Sequence, residues 1–105
     1  MKRLGKYTLE FHRPPSLLAQ AAVGGKKEAE GPLGKDFDQT FQDTTLQEDS
    51  WEKAEAQLQK EAVSLALGKA GVPQDQVDFI LAGDLLNQCI SSTFGLMGFG
   101  IPFLG

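Results

Sequence analysis

The stretch from Val77 to Asn87, Val-Asp-Phe-Ile-Leu-Ala-Gly-Asp-Leu-Leu-Asn, limits what this chain can fold into more than any other. Its apolar core, Phe79 to Ala82, is continuous rather than alternating. That is the pattern of a strand covered on both faces, as in a parallel sheet packed between helices. Gly83 stops the run, and Asp84 stands where the next helix would begin. Open α/β sheets place ligands outside the C-terminal ends of their strands, so Asp84 is the candidate site residue. Its ordinary role at such a place is an N-cap that accepts from the backbone N–H of Leu86 or Asn87, worth about 0.5–2 kcal/mol. Its functional role is to project from the strand end into a pocket, and the two are compatible.

The segments around this strand predict how it is reached and left. Asp49 to Ala70 reads as a helix, with Asp49 and Glu52 at capping-box spacing. Trp51, Ala54, Leu58, Ala62, Leu65 and Ala66 recur at three- and four-residue steps and form one apolar stripe. Glu55, Gln59 and Lys60 fall towards the solvent side. Gly71 and Pro73 end the helix. A second helix is expected from Asp84 to Leu96 or Met97, apolar on most sides. Its small residues Ser91, Ser92 and Gly95 permit close packing, and Gly98 and Gly100 end it. Ile101 to Leu104 reads as the opening of another buried strand. Upstream, Lys6 to Phe11 alternates and reads as a strand closed by Pro14 and Pro15. Residues 16–49 hold no long element and are punctuated by Gly24-Gly25, Gly31-Pro32 and Gly34. Phe37 and Phe41, four apart, suggest one face of a short helical turn that tucks this loop against the body.

A chain of 105 residues makes at most one small domain. The net charge of −4 argues against nucleic acid as a partner. The bases concentrate in the first third, at Lys2, Arg3, Lys6, Arg13, Lys26, Lys27 and Lys35, scattered in the manner of a solvated arm. The single cysteine, Cys89, excludes an intrachain disulfide and a multi-cysteine metal site and fits a reducing cytosol. It lies too far into the second helix for a lowered pKa and reads as a small hydrophobe. His12 has no partner at a catalytic spacing. There is no phosphate loop and no Gly-x-Ser-x-Gly turn. No signal peptide is expected. The uncharged run from Leu85 to Gly105 raises a membrane span, but its glycines, its polar residues and Pro102 favour a buried helix followed by a strand. No cofactor is indicated.

At Phe79-Ile80-Leu81-Ala82-Gly83-Asp84-Leu85-Leu86-Asn87-Gln88 the sequence resembles the stage V sporulation protein AD family, which belongs to the thiolase superfamily. Agreement extends to Met1-Lys2-Arg3-Leu4-Gly5-Lys6, Gly31-Pro32-Leu33-Gly34, Phe37-Asp38, Trp51-Glu52-Lys53-Ala54-Glu55 and Ile101-Pro102-Phe103-Leu104, nearly the whole chain. The resemblance implies an α/β, partial thiolase-like fold: the N-terminal part of the first βαβαβ half, a mostly parallel sheet with packed helices. Residues 1–105 would be an incomplete N-terminal domain, with 16–49 a long loop or insertion and 50–105 a helix-strand-helix-strand core.

The family is associated with binding dipicolinic acid and with its uptake into the developing spore. It works beside membrane proteins of the same operon, which implies a cytoplasmic protein peripheral at the spore inner membrane and a homodimer in the full-length family. The family's Gly-Asp contributes to the dipicolinate pocket, and here that residue is Asp84. Because an acid facing a dianion is unfavourable without a bridging donor or proton, Asp84 is expected to shape the pocket or to act through water. Chains of that family are much longer, and their cysteine-bearing turn follows a strand like Ile101 to Leu104. Cys89 does not match that position, so the chain is expected to be an N-terminal fragment without catalysis of its own. The alternative is a fragment of a thiolase- or ketoacyl-synthase-like acyltransferase that lacks its nucleophile.

Overall fold

The computed structural model describes residues 1–86 and 90–104, apart from the side chain of residue 90. It is a mixed α/β structure with three small two-stranded sheets. Strands β1 (Lys2–Leu4) and β2 (Thr8–Glu10) form an antiparallel hairpin with Arg3 opposite Leu9. Gly5, at φ 76°, supplies the left-handed turn residue. The Arg3 guanidinium donates to the carbonyls of Gly5 and Lys6 and staples that turn. The strand expected over Lys6 to Phe11 therefore begins only at Thr8, because Gly5 to Tyr7 are spent on reversing the chain.

Residues 16–49 carry no long element, as their breakers predict, but they are not structureless. Strand β3 (Val23–Gly24), helix α1 (Lys26–Glu30) and strand β4 (Gln39–Thr40) form a small unit in which β3 and β4 pair in parallel. Gly24 is buried under the Phe37 ring, which would lie 3.0 Å from a Cβ at that position. Phe37 and Phe41 do not share a helical turn. Phe37 ends a 3-10 turn over Gly34–Asp36, and Phe41 follows β4 with its amide bonded to the Gly24 carbonyl. Asp38 ties this unit down: its carboxylate accepts from the Ala22 amide at 2.6 Å and pairs with Lys69 at the end of the next helix.

Helix α2 (Trp51–Ala70) is the longest element. Its N-cap is Ser50, whose Oγ accepts from the Lys53 amide at 3.2 Å, rather than Asp49. Asp49 sits one residue outside and pairs with the Lys53 ammonium instead. At the other end the Val72 amide bonds the Leu67 carbonyl and the Gly71 amide bonds the Gly68 carbonyl, a Schellman motif with Gly71 at φ 66°. Ala54 is buried and most of the apolar stripe is half-buried, but Trp51 is 57% exposed. Trp51 stands at the first turn, where no described element covers it.

The last part is a β-α-β unit. Strand β5 (Ile80–Leu81) and strand β6 (Phe103–Leu104) pair in parallel, and helix α3 (Ile90–Leu96) crosses between them. The Ile80 amide bonds the Pro102 carbonyl and the Ala82 amide bonds the Leu104 carbonyl. The expected strand over Val77 to Ala82 is thus reduced to its centre. It is also not covered on both faces, since Phe79 is 58% and Leu81 70% exposed. Among the described residues β5 pairs with β6 alone, and one ladder cannot bury a continuous apolar run.

Packing of α3 on α2 forms the main tertiary contact. Ser91, Ser92 and Leu96 are buried there. A Cβ on Gly95 would stand 2.5 Å from the Ala56 carbonyl oxygen, so glycine permits this approach. The radius of gyration is 15.7 Å, against about 13 Å for a compact chain of this length. The accessible surface is 7969 Å², where a compact protein of this mass exposes about 5,800 Å². Large apolar side chains stand open, among them Tyr7, Leu17, Leu18, Phe79 and Leu81. Among the described residues no helix is long and apolar enough to cross a membrane.

Candidate functional site

The candidate site is the loop from Ala82 to Leu86, which leaves the C-terminal end of β5 and leads towards α3. Gly83 is open on the side where a Cβ would project. Asp84 follows it, half-buried, and its Oδ2 accepts from the Ser92 amide at 3.0 Å. Asp84 thus bonds a backbone amide of α3 eight positions further along the chain. The helix expected from Asp84 is not present at residues 85 and 86, which form a bend, and α3 is described from Ile90; the expected bond to the Asn87 amide lies outside the described residues. Asn87, Gln88 and Cys89, including the reading of Cys89 as a buried hydrophobe, lie outside the described residues.

Two residues of α2 reach across to the same loop. Glu55 Oε2 accepts from the Leu85 amide at 3.3 Å, and Gln59 Nε2 donates to the Gly83 carbonyl at 3.4 Å. Sequence reasoning places both on the solvent side of α2, and the structure turns both towards the loop. Their spacing of four puts them on one helix face, the one signal in the sequence that could have joined them. Below the loop, Ser91 Oγ donates to the Glu52 carbonyl at 3.1 Å. Ser92 Oγ is buried with no hydrogen-bond partner among the described residues.

Two hollows among the described residues flank helix α2. A cavity of about 340 Å³ between α2 and α3 is lined by Glu52, Lys53, Ala56, Ser91 and Phe94. A wider groove of about 730 Å³ runs along the other flank of α2, from Leu17 and Leu18 past Val63 and Leu67 to Phe79 and Leu81. Asp84 lines neither. Among the described residues no group of three His, Cys, Asp or Glu side chains is placed to hold a metal ion.

Away from the loop, two carboxylates are held below the usual carboxylate range. For Asp38 the first cause is the hydrogen bond from Lys69, followed by that from the Ala22 amide. For Asp43 it is the Thr45 amide, with the Gln47 amide and the Thr45 hydroxyl adding to it. Both stabilise connections rather than a reacting centre.

Comparison with known proteins gives this geometry a family. The family profile of stage V sporulation protein AD (SpoVAD) matches residues 5–105. Stage V sporulation protein AD of Bacillus subtilis (strain 168) is 41% identical over 104 residues, which cover 99% of this chain and 31% of that protein. The chain thus spans about a third of the length of the curated relative it matches. On the family profile and on this relative, the chain belongs to the stage V sporulation protein AD family.

Proposed function

We propose that the chain acts in sporulation as the N-terminal part of a dipicolinate-binding protein of thiolase-like fold that supports uptake of dipicolinate into the developing spore. Family membership supports the sporulation role. The observation that carries the ligand reading is the position of Asp84. It stands just past the C-terminal end of a parallel-paired strand, where α/β sheets bind ligands. Its carboxylate is bonded to the Ser92 amide. An acid so bonded does not face a dianion as an isolated charge, so its role is to set the loop's shape. The reading is one of binding without catalysis. In the same reading the protein is cytoplasmic, forms a homodimer, and lies at the spore inner membrane beside membrane proteins of its operon.

Titration calorimetry of dipicolinate into the full product of the gene tests this. The expected result is saturable binding that Asp84→Ala weakens at least about tenfold, with Asp84→Asn, which keeps an acceptor for the Ser92 amide, falling less. No binding by the wild type, or equal binding by Asp84→Ala, would contradict the proposal.

A further inference from the structure

We infer that Glu55 and Gln59 are positioning residues for the Asp84 loop: helix α2 grips the peptide groups on both sides of Asp84 and so fixes where its carboxylate stands. The inference rests on the reading of that loop as part of a dipicolinate site. The Leu85 amide is held by Glu55 at 3.3 Å and the Gly83 carbonyl by Gln59 at 3.4 Å. Between them, Asp84 holds the Ser92 amide at 3.0 Å. The loop is thereby held by α2 through Glu55 and Gln59 and by α3 through Ser92, while the Leu85 side chain is almost fully exposed.

The second oxygen of Glu55, Oε1, is buried with no hydrogen-bond partner among the described residues. Burying a carboxylate oxygen in that way is destabilising. A glutamine at position 55 would offer the same acceptor to Leu85 without a charge.

Two readouts on the full product of the gene separate the possibilities: hydrogen exchange of the peptide spanning Gly83 to Leu86, and dipicolinate affinity by calorimetry. In Glu55→Ala the loop is expected to exchange at least about tenfold faster and affinity to fall by a similar factor, the size of one lost hydrogen bond to a charged group. The thermal midpoint should not fall in step. Gln59→Ala should act in the same direction, more weakly. Glu55→Gln is expected to restore both slow exchange and affinity, which a general loss of structure would not allow. Unchanged exchange in Glu55→Ala would overturn the inference, and so would an affinity loss that Glu55→Gln fails to rescue. A wild type that does not bind dipicolinate would overturn the proposed function alone, and the exchange rates of the variants would still decide whether α2 holds the loop.

Discussion

Replacing Gly95 by alanine tests the packing on which the candidate site is built. A Cβ at this position would lie 2.5 Å from the Ala56 carbonyl oxygen and 3.0 Å from the Ala56 Cα. Ordinary C···O approaches are about 3.3–3.6 Å, so α3 must retreat from α2 by close to 1 Å. The atoms in the way are backbone and cannot swing aside. Overpacking of this kind costs about 1–3 kcal/mol, and a backbone clash belongs at the upper end. Alanine returns up to about 1 kcal/mol through helix propensity. The net expectation is a loss of about 2 kcal/mol, read on the full product of the gene because the 105-residue chain alone is expected to self-associate. Retreat of α3 would also draw Ser91 Oγ away from the Glu52 carbonyl and the Ser92 amide away from Asp84. The assay is thermal unfolding followed by circular dichroism, with Gly68→Ala as the control. Gly68 lies inside α2, and a methyl group there would meet nothing within 4 Å, so its replacement should stabilise by about 0.4–1 kcal/mol. A Gly95→Ala protein that melts at or above the wild type would refute the close approach of the two helices.

Three further outcomes are expected. Ser50→Ala should cost about 1 kcal/mol in chemical denaturation and Asp49→Ala much less, since Ser50 is the residue that caps α2; the reverse order would move the cap back to Asp49. Asp38 has a folded pKa below its unfolded value of about 3.9, so its contribution to stability is complete above that value and is lost as pH falls through the folded pKa. Acid unfolding of the wild type and of Asp38→Asn should therefore converge at low pH and separate near neutrality, and parallel curves would contradict the Lys69 pairing. The 105-residue chain on its own should self-associate, because its apolar surface is uncovered at Phe79, Leu81, Leu17 and Leu18; a monomer by size exclusion with light scattering, with a sharp cooperative melt, would count against that reading.

Helix α2 was legible because two independent signals agree on it, a three- and four-residue apolar period and a glycine stop at Gly71. Its first residue was less so, because Asp49 and Ser50 are both good caps and only the geometry of the entering chain chooses between them. The small residues of α3 predicted a close helix contact, and Ser91, Ser92 and Gly95 make it. Asp84 was legible as a carboxylate that would bond a backbone amide near the next helix, but the amide it bonds was not. The Asp84 carboxylate meets an amide eight positions later, a pairing that no local sequence pattern encodes. Glu55 and Gln59 were hidden for a similar reason. Their partners are 30 and 24 positions away, and a polar residue beside an apolar stripe defaults to solvent. The continuous apolar run Phe79 to Ala82 signals a strand but says nothing of how many neighbours cover it. With one paired strand, Phe79 and Leu81 remain largely exposed.

The central claim is that the Ala82–Leu86 loop belongs to a dipicolinate site. The most direct measurement is hydrogen exchange of the full product of the gene with and without saturating dipicolinate. Slower exchange over Gly83 to Leu86 on addition of dipicolinate, with a pyridine monocarboxylate giving much less protection, is the predicted result. Exchange in this loop that dipicolinate leaves unchanged, while other segments gain protection, would place the ligand elsewhere and contradict the account.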